Sequence, residues 1–174
     1  MIRAGAVVAR LVVLLGLTFL TFAVLQGPAR ETETGAATWL LRSAGISGVE
    51  QSSGSSVLVS SSHGMFQAII TPSCSALASV LAIICLAALV PGYGGGRRLG
   101  AAAAAVGVVV AGNVVRIAGS LAVGLAAGRA SLVLFHDSVG NIFSFAYTLG
   151  GYILMLWLLL PAEEPTVGAL DAAG

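Results

Sequence analysis

The chain has 174 residues, of which 57% are hydrophobic and only 9% charged. A soluble domain carries roughly a quarter charged residues, so this composition excludes an ordinary soluble globule and predicts a multispanning membrane protein. Eight arginines, no lysines and seven acids leave a net charge of +1 with no basic stripe, and a nucleic-acid partner is excluded with it.

About 20 apolar residues cross a bilayer. The first such run covers residues 4–25, with Arg3 and Arg10 at its start. It has no small-x-small cleavage site after its core and is read as an uncleaved first helix. Residues 26–71 form the one sizeable polar segment. In it "GPARETETG" reads as a turn-rich exit, and "AATWLLRSAGI" as a short interfacial helix with Trp39 at headgroup level. Strand-like runs at 57–60 and 66–70 flank a Ser-His-Gly turn, which predicts a small β-hairpin. His63 belongs to that turn.

The second span is expected from Pro72 to Val90, followed by the break "PGYGGGRR". The third begins at Leu99 and is too long for a simple crossing. It is either one projecting helix or a helix broken near Gly119. The fourth runs from about Ser138 to Leu160, and residues 161–174 form an acidic tail. The fold class expected is therefore an all-α membrane protein of about four spans with a small extracytoplasmic segment. Arg97 and Arg98 fill a very short loop and dominate the charge bias, which puts both termini in the cytoplasm and residues 26–71 outside.

That topology gathers the unusual residues at the outer face, where ionisable groups in a membrane protein need a reason to exist. Thr71 is a plausible N-cap and Pro72 suits the first helical position, so Cys74 falls in the first turn, where the helix dipole favours a thiolate. Cys85, in "AIICLAA", reads as packing. On one helix the two cysteines are separated by about 16 Å, too far for a disulfide. Asn113 and Arg116 share a helix face at the same depth as Cys74 and can stabilise an oxyanion. His136 is expected beside the start of the last helix as a neutral general base, with Asp137 or Ser138 as the cap. A zinc site from Cys74, His63 and His136 has no ligand-spacing motif behind it. Nucleophile, base and cationic stabiliser on three spans at one depth have the logic of cysteine acyl transfer.

The order "PSCSALAS", "GNVVRIAGS", "FHDSVGNIFSF" resembles the exosortase/archaeosortase family of membrane transpeptidases, over about residues 60–160. The resemblance implies Cys74 as nucleophile, Arg116 as the essential arginine and His136 as base, with Asn113, Ser75, Asp137 and Gly140 in supporting positions. It also implies cleavage of C-terminal sorting signals of exported proteins through a thioester, without a metal or organic cofactor. Such substrates carry a short motif, a transmembrane helix and a basic end. One departure is Ala76, where the family has glycine. The chain is also short for the family, with a single helix before the catalytic core. The rival readings are a non-catalytic membrane assembly factor and a small transporter subunit.

Overall fold

A computed structural model of the protein describes residues 4–90 and 94–160. The chain forms helix α1 (Ala4–Ser43), strands β1 (Val49–Gln51), β2 (Ser56–Ser61) and β3 (Gly64–Ile69), a 3-10 turn (Pro72–Cys74), and helices α2 (Leu77–Leu89), α3 (Gly95–Asp137) and α4 (Val139–Leu159). Among the described residues, three helices are long and apolar enough to cross a membrane: α1 from Leu11, α3 and α4. Large apolar side chains such as Phe19, Leu15, Ile142 and Trp157 stand on the surface, the reverse of a water-soluble protein. The protein is mostly helical and built to be embedded in a membrane. Arg3, the side chain of Arg10, loop residues 91–93 and the tail from Pro161 lie outside the described residues.

The first helix does not end at "GPARETETG". It runs for 40 residues through Pro28, about 60 Å and twice a hydrocarbon core. An interior proline costs about 3 kcal/mol. Against that cost stands a new buried stripe after the proline: Glu33, Thr34, Ala37, Thr38 and Leu41, at helical spacing. Ala37 and Leu41 of this stripe pack on the sheet, while Trp39 stays on the exposed face. The predicted interfacial helix is thus the continuation of α1.

The hairpin is present, and β1 adds a third antiparallel strand on the far side of β2. Val57 pairs with Ala68 and Val59 with Phe66, closing over a two-residue turn at Ser62 and His63. Val49, Val57 and Val59 bury one face of the sheet against Ala37 and Leu41 of α1 and Ile117 and Leu121 of α3. The sheet therefore caps one end of the helix bundle.

The second span is corrected. Its α-helical part has 13 residues, about 20 Å, which is short of a crossing by itself. Residues 72–74 are a separate 3-10 turn, and Ser75 follows in extended conformation. In space Cys85 meets the Thr18 hydroxyl at 2.8 Å. Both cysteines are free thiols.

The third helix breaks at Gly128, not near Gly119, with φ 81° and ψ 179°. The break reverses the chain. Leu132 returns against Gly124 and Phe135 against Gly119, and α4 continues back along α3. Gly112 and Gly151 let the two helices approach: a methyl group at Gly112 would lie 2.6 Å from the Tyr147 ring, and one at Gly151 2.8 Å from Val109. The conformation at Gly128 is essentially closed to other residues, and a substitution there costs about 1–3 kcal/mol. Gly128→Ala is expected to lower the melting temperature in detergent by several degrees and to separate His136 from Cys74, which cysteine crosslinking between positions 74 and 136 would register as a lost product.

Candidate active site

The reversal at Gly128 is what builds the site. Position 136 lands beside position 116, at the sheet end of the bundle. Asn113, Arg116 and Ser120 recur at three- and four-residue spacing and are buried on one face of α3. The Arg116 main-chain carbonyl accepts from Ser120 at 2.9 Å. Its guanidinium Nη2 donates to Asn141 Oδ1 at 3.3 Å and approaches His136 Nε2 at 3.4 Å. The same Nε2 is 3.2 Å from Cys74 Sγ. Thiol, imidazole and guanidinium therefore form one continuous contact from the turn before α2 to the middle of α3.

Cys74 is buried, and its Sγ also lies 3.1 Å from the Thr71 hydroxyl. The sequence expectation made Thr71 a helix cap. It does stand at the N-cap position, but its hydroxyl turns to the thiol and to Ser73 Oγ at 2.9 Å, and caps no N–H. Burial pushes the thiol up, while hydrogen bonds from His136 and Thr71 together with the imidazole charge pull it down further, to about 7. The lowered pKa favours the thiolate, the form that attacks a carbonyl.

Two chemical states of the imidazole follow from these contacts. With Nδ1 alone protonated, the Nε2 lone pair accepts from the thiol or from Arg116; once Nε2 takes the sulfur proton, the imidazolium donates to the thiolate. A proton can thus pass between sulfur and ring without either group moving.

The supporting residues are sorted differently from expectation. His136 lies in the last turn of α3, three residues before α4 begins, and neither Asp137 nor Ser138 caps α4 with its side chain. Asp137 is exposed on the cavity rim, and its main-chain carbonyl accepts from Asn141 Nδ2 at 2.8 Å. That bond fixes Asn141, which in turn holds Arg116. Gly140 leaves room for the guanidinium: a methyl group there would sit 3.1 Å from Arg116 Nε. Ser75 Oγ accepts the Leu77 N–H at 3.2 Å and so starts α2. Asn113 is fully buried and accepts from Tyr147 at 2.9 Å, while Tyr147 also contacts Ser144 at 3.0 Å. Asn113 makes its polar contacts to Tyr147 and Glu33 and hydrogen-bonds neither Cys74 nor His136.

Glu33 is a residue that sequence reasoning missed. It is buried, and its Oε1 accepts the Ala76 N–H at 2.9 Å. It also faces Ser75 and Asn113. The carboxyl of α1 thus ties down the chain two residues past the nucleophile. Its signal was the buried stripe, hidden because Pro28 seemed to end the helix. Asn141 and Tyr147 were missed as well. Both sit one turn or two from a residue already singled out, at spacings that place them against α3. Ala76 adopts right-handed helical angles, φ −72° and ψ −9°, and is buried at the start of α2. Nothing at that position demands glycine.

A cavity of about 340 Å³ opens onto the thiol, lined by Phe66 and Ile70 of the sheet segment, Leu121, Arg129 and His136 of α3, and Cys74 itself. His63 is held at the hairpin turn, 3.2 Å from the Ala126 carbonyl. Among the described residues no group of three or more His, Cys, Asp or Glu side chains could hold a metal ion. Against known proteins, the chain matches no family model, no curated protein and no solved structure.

Proposed function

We propose that the protein is a membrane cysteine peptidase or transpeptidase of exosortase type, cleaving C-terminal sorting signals of exported proteins. The observation that carries this reading is the contact chain Cys74 Sγ–His136 Nε2–Arg116 Nη2, with separations of 3.2 and 3.4 Å, opening on a cavity. A packing cysteine needs neither partner.

In the reaction, the Cys74 thiolate attacks a peptide carbonyl and its electrons move onto oxygen. Arg116 faces that developing charge. His136, now carrying the proton from sulfur, delivers it to the leaving amine as the C–N bond breaks. The product is a thioester on Cys74 and a released C-terminal helix. An incoming amine, a lipid nucleophile or water then gives its proton to His136 and displaces the sulfur.

The orientation in this reading puts both termini in the cytoplasm and the thiol outside. Arg97 at the start of α3 donates to the Leu158 and Leu160 carbonyls at 3.0 and 2.6 Å, closing the end of α4 opposite the sheet. Nineteen residues separate Arg97 from Arg116. They span about 29 Å of helix, one hydrocarbon core. The two arginines fit opposite interfaces, with the site at the water boundary where an exported chain emerges.

The test is co-expression with an exported protein ending in motif, transmembrane helix and arginines. Cys74→Ala is expected to leave the helix attached, and Cys85→Ala to release it as the parent does. Continued release by Cys74→Ala sinks the reading. A membrane-impermeant maleimide that reaches Cys74 only from the cytoplasm overturns the orientation.

A further inference from the structure

On the peptidase reading, a substrate must lie across the cavity that opens on Cys74. Strand β3 is an edge of the sheet, bonded to β2 alone. Its register tells which main-chain groups are free. Ile70 N–H donates to Ser55 O at 2.9 Å. Antiparallel pairing alternates, so Ala68, Phe66 and Gly64 also face β2, opposite Val57, Val59 and Ser61. The N–H and C=O groups of Met65, Gln67 and Ile69 then point to the open edge. All three residues are exposed.

Natural proteins cover, shorten or charge such an edge. This one carries no charged side chain from Gly64 to Ile69. Instead it forms a wall of the active-site cavity: residues 66–71 line it continuously, and the lining runs on through Ser73 to Cys74 and His136. Across the cavity stand Ile117, Leu121, Leu132 and Val133 of α3.

The geometry points to β3 as a docking edge for the substrate main chain: an extended polypeptide segment adds as a fourth strand, pairs with Met65, Gln67 and Ile69, and lays its scissile carbonyl at Cys74. Main-chain bonds supply affinity in this mode, and pockets for alternate side chains supply selectivity. Side chains turned toward α3 would meet an apolar wall, which favours small or apolar residues at every second position. A lipid chain filling the same cavity would ignore the strand edge, and that difference is measurable.

The probe is N-acetyl-tetraalanine chloromethyl ketone, applied to the full chain in nanodiscs beside chloroacetone and a main-chain N-methylated form of the peptide. Labelling of Cys74 is followed by mass spectrometry. The peptide reagent is expected to label about ten-fold faster than chloroacetone, as one or two net main-chain hydrogen bonds allow. The N-methylated form should lose that advantage on the parent protein. Gln67→Pro and Ile69→Pro should lose it too, since they delete donors that β2 does not use. An N-methylated peptide as fast as the parent peptide, or no advantage of either over chloroacetone, overturns the proposal. Iodoacetamide labelling measured in parallel reports the thiol alone. Ordinary thiol behaviour there sinks the peptidase reading, whereas a low midpoint without a peptide advantage sinks only the docking edge.

Discussion

On the peptidase reading, His136→Ala is expected to lower signal cleavage by about 10²–10⁴-fold, the usual contribution of a positioned general acid–base. Its clearest physical mark is the pH dependence of Cys74 alkylation by iodoacetamide. The parent thiol should show a midpoint near 7. Burial raises this thiol, and His136 is foremost among the groups that lower it. Removing the imidazole leaves burial opposed by Thr71 alone, so the midpoint must move up, toward or past the ordinary ~8.5. The rate at pH 7 is the poorer readout. The thiolate fraction drops, but a more basic thiolate is also more nucleophilic, which returns much of the loss. An unmoved midpoint in His136→Ala would show that the 3.2 Å contact does not activate the sulfur.

Arg116→Met should separate two roles that proximity alone confuses. Arg116 is not among the groups that set the Cys74 thiol, whose partners are His136 and Thr71. Its guanidinium stands next to the imidazole, and on the peptidase reading it turns to the oxyanion. Loss of such a donor costs about 10²–10³ in the chemical step. Cleavage is therefore expected to fall by that factor while the alkylation midpoint stays near 7. Arg116→Lys should recover only part of the activity, because an ammonium cannot hold Asn141 and face the substrate oxygen in the planar fork of a guanidinium. An equal fall in alkylation and cleavage would instead mean that Arg116 maintains the fold around the thiol. Folding is followed by melting temperature, since a buried arginine leaves partners behind when it is removed.

Each of these residues was visible in the sequence, but their contacts were not. Intramembrane arginine, asparagine and histidine are rare enough to stand out against an apolar background, and their common depth followed from counting helix turns. The same counting failed at "GPARETETG". Local turn chemistry is worth a few kcal/mol, and burying Ala37 and Leu41 against the sheet and α3 opposes it. The misreading hid Glu33. It failed again on the third helix, because Gly119 and Gly128 are equally good breakers by sequence. Gly128, beside the His63 turn, takes the non-helical conformation, whereas Gly119 stays helical.

Composition and span length determined a membrane-embedded helical protein, because bilayer thickness and backbone hydrogen bonding leave few other solutions. Alternation around a two-residue turn determined the hairpin. Tertiary structure alone decided that residue 136 returns to residue 116, that Thr71 serves the thiol, that Asn141 holds Arg116, and that Glu33 anchors Ala76. These are contacts between side chains far apart in the chain. One φ angle at Gly128 and the close approach of α3 and α4 at Gly112 and Gly151 set them, and no local periodicity encodes either.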